Sequence, residues 1–214
     1  LFGFSTLGRH LVATSLAASC LVLGLVALAA YVWHAGRHAN PLIDLRLLRH
    51  PTFRAGVLGG GLFRIGIGAT PFLLPLMLQL GFGLSALQSG LITFASAAGA
   101  MFMKTIAATV LRRFGFRRVL WINALLASAM LAGFGLFNAQ TPHLLIMAVL
   151  VVSGCFRSLQ FTSVNAISYA EVEPSRMSQA TSLAGMAQQL SLALGIAIGG
   201  YALTLAAELT GTAY

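Results

Sequence analysis

The chain has 214 residues, of which 58% are hydrophobic and only 8% charged, and its mean hydropathy is +0.88. A soluble domain carries roughly a quarter charged residues, so this composition excludes a water-facing globule and points to an all-α membrane protein. The net charge of +9 does not point to nucleic acid, because most basic residues lie in short loops between apolar runs, where they report topology and contact with the inner leaflet.

About 20 apolar residues cross the hydrocarbon core as a helix, and six runs of that kind follow one another. The first, 11–33, is rich in Ala, Leu and Val. It holds Cys20, which, like Cys155 further on, lacks the spacing of a metal or redox motif, so both are expected to be buried free thiols. A polar connector follows over 34–52, with Arg37, Arg46, Arg49 and the one aspartate, Asp44. Because the chain begins with Leu1 and its first apolar run leads into others, it reads as a fragment without a cleavable signal peptide.

Run two, 53–80, contains Gly59-Gly60-Gly61, Gly66, Gly68, Pro71 and Pro75. In a bundle, small residues let helix backbones approach and neighbours satisfy freed carbonyls, so packing explains them; the prolines also suit a flexing point. Run three is 88–111 and run four 119–137. Between them stands Arg112-Arg113-Phe114-Gly115-Phe116-Arg117-Arg118. Four arginines in so short a loop hold it on the cytoplasmic side. Alternation then places 34–52 and 169–179, with Arg176, inside. The loops 80–87 and 138–143, which hold no Lys or Arg, fall outside. Arg9 is the one loop cation on the outer side. Runs five and six cover 143–168 and 180–207, the last with Gly195 and Gly199 at small-residue spacing.

Charge near mid-bilayer is expensive, and three residues carry it: Arg64, Lys104 and Arg157. Arg64 ends Gly61-Leu62-Phe63-Arg64 and Arg157 ends Gly154-Cys155-Phe156-Arg157. The same Gly-x-Phe-Arg recurs three helices apart in spans of opposite direction, the pattern of an inverted three-helix repeat. Helical spacing aligns Arg157, Gln160, Phe161 and Asn165 along span five. That stripe suits either a cavity wall meeting a substrate or a hydrogen-bond network inside the bundle, and Arg64 carries the same two readings. Lys104 lies nearer the inner end of its span, where it can snorkel. Gln79, Gln188 and Gln189 suit helix contacts or a path lining, while Asn123 and His143 read as structural. The spans carry no paired acids, His-rich metal motif or nucleophile with a base, so an enzyme, a metal and a cofactor are not expected.

The connector and span two, 40–49 through Pro71-Phe72-Leu73-Leu74-Pro75-Leu76-Met77-Leu78-Gln79, then Gly83 to Gly90, resemble the major facilitator superfamily. More closely they resemble its 14-helix drug:proton antiporter family of the EmrB/QacA type, and the stretch from Phe156 to Gly199 is similar to MdtD-like members. The resemblance implies an incomplete C-terminal helical bundle of about six transmembrane helices: 1–34 an extra central helix, 35–52 a cytoplasmic connector, 53–214 five of the six bundle helices. It implies proton-coupled multidrug efflux across a bacterial cytoplasmic membrane, with Arg64 and Arg157 facing the substrate site. The arginine loop matches the family's cytoplasmic signature loop in Arg113, Gly115 and Arg117 but has Ala108 and Arg112 where the family has Gly and Asp. It therefore reads as an inner-surface tether rather than a charge-paired gate. The four acids, Asp44, Glu171, Glu173 and Glu208, all lie away from mid-span. The implied partners are thus the bilayer, with substrate and protons handled through an N-terminal half outside this chain. The alternatives are a same-fold transporter of another solute class, such as a small-anion importer or lipid flippase, and a non-transporting membrane scaffold.

Overall fold

The structure, a computed structural model, describes residues 14–35, 37 and 44–210. The start of the first apolar run, Arg9 and the side chain of Cys20 lie outside the described residues.

Helix α1 covers Thr14–Ala35. Beyond it the Arg37 guanidinium lies 3.6 Å over the Trp33 ring. The connector forms a 3-10 turn, Leu45–Arg49, because the Asp44 side chain accepts from the Arg46 N–H at 2.8 Å and caps it. Helix α2, Pro51–Gly81, starts on a proline, a residue whose missing N–H has no helical partner to lose at that position. It contains two π-helical turns, Ala55–Gly59 and Met77–Gly81, and its α-helical stretches Gly60–Gly68 and Thr70–Leu76 are separated at Ala69. The second π turn follows Pro75, where proline removes an N–H and crowds the preceding turn.

Helix α3, Ala86–Phe114, opens on a capping box: Ser85 Oγ accepts from the Gln88 N–H at 3.2 Å and Gln88 Oε1 accepts from the Ser85 N–H at 3.0 Å. Two orphan donors are thereby satisfied. Helix α4, Phe116–Gly133, follows after one residue, Gly115, whose φ of +77° is what lets the chain reverse there. Helix α5 is His143–Ser168, and α6, Met177–Thr210, is preceded by the 3-10 turn Pro174–Arg176.

Among the described residues, five of the six expected spans are long and apolar enough to cross a membrane: Pro51–Gly81, Ala86–Phe114, Phe116–Leu136, His143–Ser168 and Pro174–Leu209. In α1 the apolar stretch is the shorter Val22–Tyr31. At most 33% of the apolar window of any span is buried inside the chain, so most of each helix presents side chains such as Leu62, Trp121, Leu125 and Leu144 outward. A surface that apolar is stable in lipid and not in water. The chain is a multi-pass membrane protein.

The helices form two compact units. One comprises the chain up to Ala69 together with the part from Ser168 on; the other is Thr70–Ile167. The first has a core of Leu47, Phe53, Val57, Val172, Ala180 and Leu183, built where the connector meets the starts of α2 and α6. The second has one cluster around Leu78, Ile92, Phe134 and Ile146 and another, nearer the α3–α4 turn, of Ala107, Leu111, Val119 and Leu159.

Candidate functional site

In the second unit, α3 and α5 cross at Gly99 and Gly154. A Cβ on Gly99 would overlap the Val151 carbonyl oxygen, and one on Gly154 would overlap that of Ser96. Only glycine permits backbones so close. The crossing brings the polar side chains of α5 onto α3: the Cys155 thiol donates to the Gly99 carbonyl at 3.2 Å and the Ser158 hydroxyl to the Ala100 carbonyl at 2.9 Å. Arg157, half-buried between them in sequence, donates from Nη2 to Ser96 Oγ at 3.1 Å.

The stripe on α5 divides between two neighbours. Whereas Arg157 meets α3, Gln160 is 5% exposed and its Oε1 accepts from Asn123 Nδ2 on α4 at 2.8 Å. The same nitrogen donates to the Phe156 carbonyl at 2.8 Å. Gln160 thus takes part in a hydrogen-bond network within the bundle. Phe161 is half-buried and Asn165, nearer the C-terminal end of α5, is exposed. Lys104 is exposed on α3.

In the first unit, Arg64 on α2 is 5% exposed. Three residues earlier, a Cβ on Gly61 would lie 3.0 Å from Ser191 Oγ on α6. One turn beyond Arg64, Gly68 and Gly195 let the same two helices touch, a Cβ on Gly68 falling 3.1 Å from the Gly195 Cα. Each unit therefore repeats one local construction: the glycine of Gly-x-Phe-Arg sits at a helix crossing against a serine-bearing helix, with the arginine one turn on. Tyr169, just past α5, feels Arg64 too. Burial pushes its phenol above the ordinary value, and the Arg64 charge works against that rise.

Where the connector meets the loop before α6, Asp44 forms an ion pair with Arg176, and Thr52 Oγ1 donates to Glu171 Oε2 at 2.7 Å. Phe53 lies beneath, fully buried, its ring 6.5 Å from that of Tyr169. In the loop between α3 and α4, Arg113 and Arg117 are exposed, the former's guanidinium 6.0 Å from the Phe114 ring, and Gly115 makes the turn. Two participants escaped the sequence: Ser96, one serine among many, and the partnership of Asp44 with Arg176, two loop charges 132 residues apart. Among the described residues no three His, Cys, Asp or Glu side chains are placed to hold a metal ion.

The profile of the Major Facilitator Superfamily matches residues 56–207. The chain is 37% identical over 180 residues to "Putative multidrug resistance protein MdtD" of Pectobacterium carotovorum subsp. carotovorum (strain PC1), an alignment covering 84% of this chain and 39% of the relative. Proteins of the same name from Serratia proteamaculans (strain 568) and Klebsiella pneumoniae (strain 342) are each 36% identical, over 90% and 88% of this chain and 40% of their own length. The chain thus spans about two fifths of the length of these relatives. No solved structure matches it. Five apolar spans, glycine-mediated crossings and a profile match over most of the sequence agree: the chain belongs to the Major Facilitator Superfamily.

Proposed function

We propose that the chain is part of a proton-coupled multidrug efflux transporter of the bacterial cytoplasmic membrane. Residues 1–34 supply an extra central helix, 35–52 a cytoplasmic connector and 53–214 five helices of the C-terminal bundle. What carries this reading is the similarity, over more than four fifths of the chain, to relatives whose name is that of a multidrug resistance protein.

The geometry supports a division of labour within such a transporter. Arg157, held by Ser96 and half-buried, keeps a guanidinium that offers five donors toward the polar part of an amphipathic substrate, and Phe161 one turn on supplies an aromatic face. Arg64 and Asn165 complete the proposed substrate-facing set. Gln160 is tied to Asn123 and holds α5 in place beside them. Since none of the four acids stands in mid-span, the proton-coupling carboxylate belongs to the part of the transporter beyond this chain, and the mid-membrane arginines serve either the substrate or that carboxylate. No step here calls for an enzyme's nucleophile or a cofactor.

The test is drug accumulation in efflux-deficient cells producing the complete transporter. Arg157→Ala should raise retained drug for several chemically unrelated substrates while leaving the amount of protein in the membrane unchanged. Unaltered efflux of every substrate would remove Arg157 from the site. Failure of the wild-type protein to lower accumulation of any drug would remove the multidrug reading itself.

A further inference from the structure

The first turn of α4 is unusual for a helix start. It has no side-chain cap and no acidic residue, and Arg117 and Arg118 occupy it. Positive charge there works against the helix dipole, and the orphan N–H groups of the turn add to the same shortage of negative charge. Arg112 and Arg113 stand just across the turn at the end of α3, all four arginines exposed.

From this charged end a groove of about 380 Å³ enters the second unit between α3, α4 and α5. Arg118, Ile122 and Leu126 lie four residues apart along one face of α4, so the groove runs about 12 Å from the loop toward mid-bilayer. Val110 and Phe114 of α3 and Leu159 of α5 make the rest of the wall apolar. Phe114, Ile122 and Leu126 remain 55%, 57% and 40% exposed, so the chain itself leaves the groove open. One buried polar atom stands in that wall unsatisfied: Asn123, 3% exposed, has no hydrogen-bond partner for Oδ1.

We propose that this groove binds one anionic phospholipid of the inner leaflet. The phosphate meets Arg118 and the uncapped N–H groups that open α4, an acyl chain lies along Ile122 and Leu126, and a water carried in with the polar region donates to Asn123 Oδ1. A basic mouth between helices on the cytoplasmic side is the arrangement that selects anionic headgroups. A free phosphate would leave the long apolar wall uncovered, whereas a lipid covers it. The site rests on the cytoplasmic placement of the loop and not on what the transporter carries.

Native mass spectrometry tests it on the complete transporter, purified in mild detergent, delipidated and titrated with phosphatidylglycerol or phosphatidylcholine. One phosphatidylglycerol should remain bound at concentrations where phosphatidylcholine does not. Binding should weaken about fivefold in Arg118→Gln, recover in Arg118→Lys, and be lost in Ile122→Trp, which fills the groove and leaves every arginine in place. Leu126→Phe serves as a second groove-filling variant, and a thermal midpoint for each protein identifies any that fails to fold. Equal phosphatidylglycerol binding by wild type, Arg118→Gln and the folded groove-filling variants would overturn the proposal. Full displacement of the lipid by inorganic phosphate would also overturn it, reducing the site to an anion contact.

Discussion

The guanidinium of Arg157 on α5 donates to the Ser96 hydroxyl on α3 at 3.1 Å, so the orientation of a charged group inside the membrane depends on a serine of another helix. A hydrogen bond involving a charged group contributes about 1.5–3 kcal/mol. Ser96→Ala should therefore weaken binding of a fluorescent drug to the reconstituted transporter by at most about 150-fold, the whole of that bond, and Arg157→Ala by more. Equilibrium titration of the three proteins checks the order. A Ser96→Ala protein that binds as wild type, beside an impaired Arg157→Ala, would show that the serine does not position the arginine.

The Gly99 and Gly154 crossing makes an opposite-sign prediction. Gly99→Ala or Gly154→Ala places a methyl group against a backbone carbonyl that cannot turn aside, and overpacking of that kind costs about 1–3 kcal/mol. Gly90→Ala, on the same helix α3 but with nothing within 4 Å of the new Cβ, should stabilise by up to about 1 kcal/mol through helix propensity. Thermal midpoints in detergent should fall for the first two and rise for the third.

A buried amide pair gives a coupling test. Asn123→Leu leaves Gln160 Oε1 buried without its donor, a loss of about 1–3 kcal/mol. Adding Gln160→Leu removes the stranded group, so the double variant should be less destabilised than the sum of the single ones. Strict additivity would mean that the 2.8 Å contact carries no energy.

The six apolar runs were legible because bilayer thickness demands about 20 apolar residues per helix, and five reappear in α2 to α6 nearly where expected. Element ends were less so: α6 begins at Met177 rather than 180, since Pro174 starts the preceding turn. The Gly-x-Phe-Arg repeat was visible, but not its cause, which is that each glycine lies on a helix crossing. Periodicity put Arg157 and Gln160 on one stripe. It could not reveal that they engage different helices, because spacing fixes a face and the partner is fixed only by tertiary packing. The capped turn at Asp44 could have been read from an aspartate preceding Leu45–Arg49. Its pairing with Arg176 could not.

That pairing joins the connector to the loop before α6. The Asp44 side chain is 10% exposed and that of Arg176 35%, so Arg176→Gln should cost on the order of 1–3 kcal/mol, below the ~3–5 of a fully buried pair. Asp44→Ala should cost about 1 kcal/mol more than Asp44→Asn, which keeps a capping oxygen for the Arg46 N–H. A double-mutant cycle on Asp44→Asn and Arg176→Gln, followed by thermal unfolding, isolates the pair.

Orientation in the membrane underlies both the transporter reading and the lipid site, and cysteine accessibility measures it most directly. In cells producing a variant whose native cysteines are replaced, Arg117→Cys should react with a membrane-impermeant maleimide only after permeabilisation, and Gln140→Cys, in the loop between α4 and α5, should react in intact cells. Labelling of the Arg117→Cys protein from outside, with the Gln140→Cys protein protected, would contradict the account.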